Sequence, residues 1–455
     1  MRFWGISTSD FFGQSKQALK IALPIIFGQL GLVFMGFFDL LMVGKVGTNE
    51  IAAVGVANAM FFLFFMFAMG VMFSISPLVA IACGSGRGWK SILVLKSATK
   101  IGLLLSSFLF LLYSFLTYNF EWVGQTPEVT ELCKDYLNIV NWSVWPLLIF
   151  AVYKQYLDGH SRTVPASAIT LVGLVLNIVL NYLFIYGWEF IPAMGLKGAA
   201  WATLVVRAAM AIALVYYVHS DKDYKSFAQT LKSKYQFTHN YVKKVWRMGY
   251  PIGLQFFFEV AAFSFAAIMA GWIGAIPQAS HNIALNLASV TFMGATGLAA
   301  AGSVLVGNAY GAANFKQLLQ SGKVIIFLVL LYMSFCALMF VVFNQQLALT
   351  FSQDPEVIRI TVSLLILAAI FQIPDGLQSA GLGLLRGMKD VKIPSFIAFF
   401  SYWIAGIPVS YVLGIKLDWG VNGVWVGFIV GLSFASILII QRFFRLLKRL
   451  NTPNL

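Results

Sequence analysis

The chain predicts an all-α integral membrane protein with twelve transmembrane helices in two parallel six-helix lobes. Three observations carry that prediction. Apolar residues make up 60% of the sequence and charged residues only 11%, with a mean hydropathy of +0.82, which excludes an ordinary soluble domain. Apolar runs long enough to cross a hydrocarbon core of about 30 Å, at about 1.5 Å per residue, recur twelve times. They cover residues 17–43, 51–81, 91–118, 136–158, 164–187, 195–218, 245–275, 281–308, 317–343, 358–384, 393–415 and 420–441. Finally, the chain repeats itself: shifting it by 227 residues lays Pro24 on Pro251, Gly44 on Gly271, Gly70 on Gly297 and Gly84 on Gly311, with 18 of 61 positions identical and no gap. Internal repetition in such a protein points to a two-lobed transporter.

Helices are the expected form of the runs, because lipid leaves no backbone polar group unsatisfied and the alternation of barrel strands is missing. The expected organisation is an interfacial N-terminus (1–16, with Phe3, Trp4, Phe11 and Phe12 toward lipid heads), a first lobe (17–218) and a basic linker (219–244). A second lobe (245–441) and a basic tail (442–455) follow. The polar lead before a full-length first helix, with no convincing cleavage site, argues against a cleaved signal peptide. Gly84-Ser85-Gly86-Arg87-Gly88 separates the second and third spans as a turn. It lacks the strand-before and Lys-Ser/Thr-after context of a phosphate-binding loop. An acidic loop around Pro127 joins the third and fourth spans. Pro165 and Pro394 fall near the starts of the fifth and eleventh, where a missing N–H costs least. Gly195-Leu196-Lys197-Gly198 before the sixth span matches Gly420-Val421-Asn422-Gly423 before the twelfth, so the duplication runs through all six helices of each half. Six crossings per half make the halves parallel.

The net charge of +14 is a topology signal rather than a nucleic-acid surface. With both termini cytoplasmic, the tails and even-numbered loops hold 25 of the 31 Lys and Arg, the other loops five, and Arg207 lies within a helix. The linker is richest, with Lys222, Lys225, Lys232, Lys234, Lys243, Lys244 and Arg247. Glu121, Glu128, Glu131, Asp135, Glu189, Asp354 and Glu356 collect on the other side. This is a positive-inside pattern, and the basic segments also suit anionic lipid heads. Cys83, Cys133 and Cys336 show no metal-ligand spacing and read as packing residues.

Three acids sit well inside predicted spans: Asp39, Glu259 and Asp375. Each costs about 2.5–3.5 kcal/mol on insertion scales, so they are expected to face water, one another or a bound cation. Gln255 and Glu259 share a helix face one turn apart. Asp375 follows Pro374, with Gln378 and Ser379 just beyond. Asn282 and Asn286 add amide oxygens of the kind a hard cation uses. These five, Gln255, Glu259, Asn282, Asn286 and Asp375, make a candidate Na⁺ or H⁺ site in the second lobe, or else an internal polar network that includes a salt bridge to Arg207. Asp39 with Asn177 and Asn181 makes a second candidate site in the first lobe, the alternative being amides bonded to neighbouring backbone. Arg207 reads as a charge-balancing residue. His160, His219, His239 and His281 fall near predicted ends or in loops without ligand spacing, so no metal beyond a transported Na⁺ is expected, and no cofactor. The Met- and Phe-rich walls suit a promiscuous apolar pocket. No nucleophile with a base and no zinc motif appears, so no enzymatic activity is expected.

Taken together, these features resemble the multidrug and toxic compound extrusion (MATE) transporters, within them the bacterial NorM-type branch. The resemblance rests on the two repeats, on Asp39 followed by Met42-Val43-Gly44, on Glu259 and Asp375, and on the Gly-x-x-Gly pairs, and it covers essentially the whole chain. It implies a secondary antiporter of the bacterial inner membrane that exports organic cations and amphipathic drugs in exchange for inward Na⁺ or H⁺, acting as a monomer. It also implies that Glu259 and Asp375 are coupling-cation acids and that Asp39, Asn177 and Asn181 form the first-lobe site. This chain departs from the branch in carrying Phe371, rather than Tyr, one turn before Asp375, which removes a cation ligand. An alternative on the same fold is a flippase for lipid-linked or anionic lipids. Its cavity needs Arg and Lys for phosphates, whereas one Arg lies well inside a predicted span against three acids.

Overall fold

The computed structural model describes residues 2–3, 6–233 and 239–451. The expectations for Trp4, for Lys234 and for the last four residues of the tail lie outside them. Arg2–Phe3 and Ile6–Ser7 pair as a short antiparallel ribbon. The first half then runs through α1 (Thr8–Val43), α2 (Thr48–Met72), α3 (Ile75–Gly84), α4 (Lys90–Tyr118), α5 (Pro127–Val140), α6 (Val144–Gly159), α7 (Val164–Tyr186) and α8 (Leu196–Ser220). After α9 (Lys222–Ser233), the second half continues as α10 (His239–Ile273), α11 (Ala275–Gly311), α12 (Phe315–Val342), α13 (Asn344–Phe351), α14 (Pro355–Gly387) and α15 (Lys392–Phe399). A π-helical stretch, Phe400–Gly406, leads into α16 (Ile407–Tyr411), a second π-helical stretch, Val412–Lys416, and α17 (Gly420–Asn451). Among the described residues twelve helical stretches are long and apolar enough to cross a membrane, with α2–α3, α5–α6 and α15–α16 each forming one. The protein is a multi-pass membrane protein.

Several boundaries differ from the hydropathy reading, each for a local reason. The helix of the fourth span begins at Pro127 rather than near 136. Proline at the first turn with Glu128 beside it makes a favourable start, so the expected loop around Pro127 is helical. α1 already begins at Thr8, and Phe11 is buried, stacked edge-on against Phe327 at 5.3 Å. Gln14 Nε2 donates to Gln320 Oε1 at 2.8 Å. Phe12, by contrast, stays exposed. Much of the expected linker is the helix α9. The Gly84–Gly88 segment is the turn expected, with Gly86 at φ +67°. The paired Gly-x-x-Gly motifs have a common cause: Gly195 and Gly420 adopt φ of +54° and +61°. Their partners Gly198 and Gly423 lie where a Cβ would strike the backbone at Phe184 and at Leu413–Gly414.

By Cα packing the chain forms two compact units, residues 1–26 with 254–455, and residues 27–253. The cut falls two residues after Pro24 and two after Pro251, inside α1 and α10, not at the linker. The repeated glycines show why. In the second unit a Cβ on Gly70 would meet the backbone of Ile252 and Gly253, and in the first a Cβ on Gly297 would meet Ile26. Each repeat thus spends one matched glycine on admitting the helix that begins the other repeat. Within the first unit, Ala262, Ala266, Leu364, Ala368, Phe371, Tyr402, Trp425 and Phe428 form one buried cluster.

Candidate functional site

Each unit holds one of the carboxylate centres that the sequence singles out, partly buried at Asp39 and buried at Glu259 and Asp375. In residues 27–253, Asp39 of α1 receives three donors. Asn177 and Asn181, one turn apart on α7, give their amide N–H groups to Oδ1 at 3.0 and 2.5 Å. Thr203 of α8 gives its hydroxyl to Oδ2 at 3.3 Å. Asn177, Asn181 and Thr203 are all buried. The amides therefore turn to Asp39 rather than to neighbouring backbone. Thr203 was not anticipated, although it lies one turn from Arg207 on the same face. Arg207 acts on Asp39 electrostatically, but its Nη1 donates to Ser143 Oγ at 2.6 Å and its guanidinium lies over the Phe61 ring at 5.6 Å. Arg207 thus acts within the unit of Asp39. The carboxylate is held by neutral dipoles with one cation nearby, and Asn181 Oδ1 remains buried without a hydrogen-bond partner.

In the other unit, Glu259 of α10 and Asp375 of α14 are both buried and within electrostatic reach of each other. Gln255, one turn before Glu259, lies on the same helix face beside it. Tyr402, on the π-helical stretch, places its hydroxyl 3.1 Å from Glu259 Oε1. Gln378, three residues after Asp375, meets the same hydroxyl through Nε2 at 2.9 Å and Oε1 at 3.1 Å. Asp375 makes no hydrogen bond to protein among the described residues. Phe371 packs edge-on against Trp425 and Phe263 at 5.5 and 6.3 Å, in the apolar wall beside the acids.

Two expectations fail here. Asn282 and Asn286 lie on an exposed face of α11, where Asn286 Nδ2 donates to the Asn282 carbonyl at 2.9 Å. Neither reaches Glu259 or Asp375, because the i, i+4 face they share is not the one α11 buries. The count of one intramembrane Arg is also too low. Arg386, in the last turn of α14, donates from Nη2 to Gln255 Oε1 at 3.3 Å and lies over the Phe256 ring at 5.2 Å. It interacts electrostatically with Glu259. Hydropathy ended that span at 384 and assigned Arg386 to a loop.

Other buried polar groups lie apart from both centres. Lys154 Nζ and Asp158 Oδ2 form an ion pair of 3.0 Å within α6, their side chains 9% and 3% exposed. His281, expected near a span end, is buried within α11, where Nδ1 accepts from Trp425 Nε1 at 3.1 Å. His160, just beyond α6, has Nδ1 3.3 Å from Cys83 Sγ and Nε2 3.1 Å from Ser91 Oγ. Its ring stacks on Phe227 of α9 at 5.9 Å. Burial, aided by Arg162, holds the His160 pKa down from 6.5 to about 4, against the opposing pull of Asp223 and Asp221. Since the docked form keeps His160 neutral, undocking takes up a proton below pH about 6.5, and docking stability falls as pH drops toward 4. The protection factors of amides in residues 222–233, corrected for the slower intrinsic exchange at low pH, are therefore expected to fall between pH 7.5 and 5, and His160→Phe to flatten that dependence.

Comparison with known proteins agrees with this architecture. The MatE family profile matches the chain twice, over residues 24–183 and 251–412, the two starts separated by the 227 residues of the internal repeat. The chain is 33% identical over 453 residues to a probable multidrug resistance protein NorM of Agrobacterium fabrum, covering 97% of this chain and 96% of that one. It is 32% identical over 442 residues to the multidrug resistance protein MdtK of Yersinia pseudotuberculosis, covering 94% and 95%. The fold matches the bent form of the Vibrio cholerae MATE transporter VcmN with a TM-score of 0.87 at 17% identity, covering 98% of this chain and 99% of that one. With a duplicated helical fold, a family profile matched in both halves and full-length relatives above 30% identity, the chain belongs to the MatE family.

Proposed function

We propose that this protein is a secondary active multidrug efflux antiporter that exports organic cations and amphipathic drugs in exchange for inward Na⁺ or H⁺. The observation that carries the reading is the pair of carboxylate centres, Asp39 in one unit and Glu259 with Asp375 in the other. All three acids sit on membrane-spanning helices, and none forms a salt bridge among the described residues. Unpaired carboxylates in such helices mark ion or proton pathways. The names of the NorM and MdtK relatives support drugs as the cargo.

Energetics make the coupling necessary. Expelling a monovalent cation against 100 mV costs about 2.3 kcal/mol, roughly a fifty-fold gradient. Exchange for one inward cation cancels that electrical cost and leaves the ion gradient to drive export. Asp39, with Asn177, Asn181 and Thr203, acts as a proton or cation site in its own unit, with Arg207 balancing charge. Glu259, Asp375 and Gln255 take the coupling ion in the other, whereas Asn282 and Asn286 are placed away from it. The positive-inside distribution supports cytoplasmic termini in a bacterial inner membrane, and the protein acts as a monomer without a cofactor.

The test is efflux of a fluorescent organic cation from proteoliposomes under a Na⁺ gradient alone and a pH gradient alone. Drive by either gradient supports antiport. No movement under both sinks it and favours the lipid flippase, the other use of the fold.

A further inference from the structure

The hydroxyl of Tyr402 has one proton and two oxygens at equal distance, Glu259 Oε1 and Gln378 Oε1, both 3.1 Å away. It can give that proton to only one of them. With Gln378 Nε2 at 2.9 Å, the same heavy atoms support two hydrogen-bond patterns. In one, Tyr402 donates to Glu259 and accepts from the Gln378 amide. In the other, Tyr402 turns its proton to Gln378 Oε1, and an oxygen lone pair faces the carboxylates. An ionised Glu259 without a bound ion demands donors and selects the first. A cation seated on Glu259 and Asp375 repels the hydroxyl proton and attracts the lone pair, which selects the second. The tyrosine keeps its proton in both.

Two further features single out this residue. Tyr402 is 2% exposed and Gln378 1%, so water does not substitute for either pattern. Tyr402 also lies on a π-helical stretch, where its carbonyl accepts from the Ile407 N–H five residues on. Such stretches are rare and concentrate at functional sites. The widened turn carries an aromatic hydroxyl into an apolar cluster that includes Phe263, Phe371, Trp425 and Phe428. Phe371 offers no oxygen, and among the described residues Tyr402 is the one hydroxyl that hydrogen-bonds Glu259 or Asp375.

We propose that Tyr402, paired with Gln378, is a specificity-determining residue of the ion site: by handing its hydrogen bond from Glu259 to Gln378 it offers a neutral oxygen to an incoming monovalent metal cation, and so sets how well the site takes Na⁺ relative to H⁺. A proton on Glu259 has no need of that lone pair, whereas a metal ion stripped of water does. The inference rests on the reading of Glu259 and Asp375 as the coupling site.

The experiment compares wild type, Tyr402→Phe and Asp375→Asn in proteoliposomes, measuring fluorescent-cation efflux against Na⁺ concentration and, separately, against a pH step. Tyr402→Phe is expected to raise the Na⁺ concentration for half-maximal efflux by about tenfold, the scale of one hydrogen-bonding group on a charged site. The ratio of Na⁺-driven to pH-driven efflux should fall by a similar factor. Gln378→Met, which removes the alternative acceptor without touching Glu259, should shift the ratio in the same direction and decides the matter if Tyr402→Phe does not fold. An unchanged ratio in a folded Tyr402→Phe, with efflux lost in Asp375→Asn, overturns the role of Tyr402 and leaves the antiport reading intact. A wild type driven by pH alone overturns it as well. Undiminished efflux in Asp375→Asn instead sinks the coupling site itself, and this inference with it.

Discussion

Asp375→Asn is expected to abolish ion-driven efflux while leaving the protein as well folded as the wild type. The side chain is buried, lies close to Glu259, and makes no hydrogen bond to protein among the described residues. An amide of the same shape therefore breaks no contact and relieves like-charge repulsion with Glu259. What it removes is half of the charge that holds a cation. A unit charge about 4 Å from a cation, at an effective dielectric near 20, contributes roughly 4 kcal/mol, roughly a thousandfold in affinity. Efflux and Na⁺ or proton dependence should vanish together, with thermal stability equal or slightly raised. Ion-driven efflux at the wild-type rate in this variant would remove Asp375 from the mechanism. Loss of efflux accompanied by unfolding would instead make it a structural residue.

The second large effect concerns stability. Lys154→Met should destabilise the protein by about 3–5 kcal/mol, the cost of leaving one member of a buried ion pair without its partner. Asp158 has no alternative: Oδ2 meets Lys154 at 3.0 Å, and Oδ1 is buried with no partner at all. The double variant Lys154→Met/Asp158→Leu removes both charges and should recover most of the loss, since replacing a whole buried pair by apolar groups is often neutral. Thermal denaturation in detergent distinguishes the cases. Equal melting temperatures for the single and double variants would mean that the pair is not coupled as its geometry requires. Neither residue belongs to a carboxylate centre, so efflux by the folded double variant should keep its ion dependence.

Much of this molecule is legible in one dimension. The twelve crossings follow from apolar length, because a helix is the cheapest way to satisfy backbone groups in lipid. Pro127 and Pro165 show where a backbone start favours proline, although hydropathy alone placed the first of them in a loop. Asp39, Asn177 and Asn181 could be grouped because two amides at i, i+4 share a helix face, and the structure brings all three together. The same rule misled at Asn282 and Asn286: spacing says that two residues share a face, not which face is buried. Arg386 was lost for a related reason, since a charged residue at the end of an apolar run looks like a loop residue when its partner, Gln255, is 131 positions away.

By itself the sequence determined the class, the duplication, the number of crossings and the three acids placed well inside predicted spans, since each depends on composition or on short-range periodicity. Only the tertiary structure decided that the packing units are cut inside α1 and α10, just after the matched prolines, because that depends on which helix each repeated glycine admits. It alone brought Thr203 to Asp39 and turned the Arg207 guanidinium to Ser143 and Phe61. Tyr402 reaches Glu259 across 143 residues, from a widened helical turn in an aromatic stretch that carries no periodic signal. Close approach of backbones and the sharing of a single proton among distant side chains are three-dimensional facts. The residues that tune the site are set at that level.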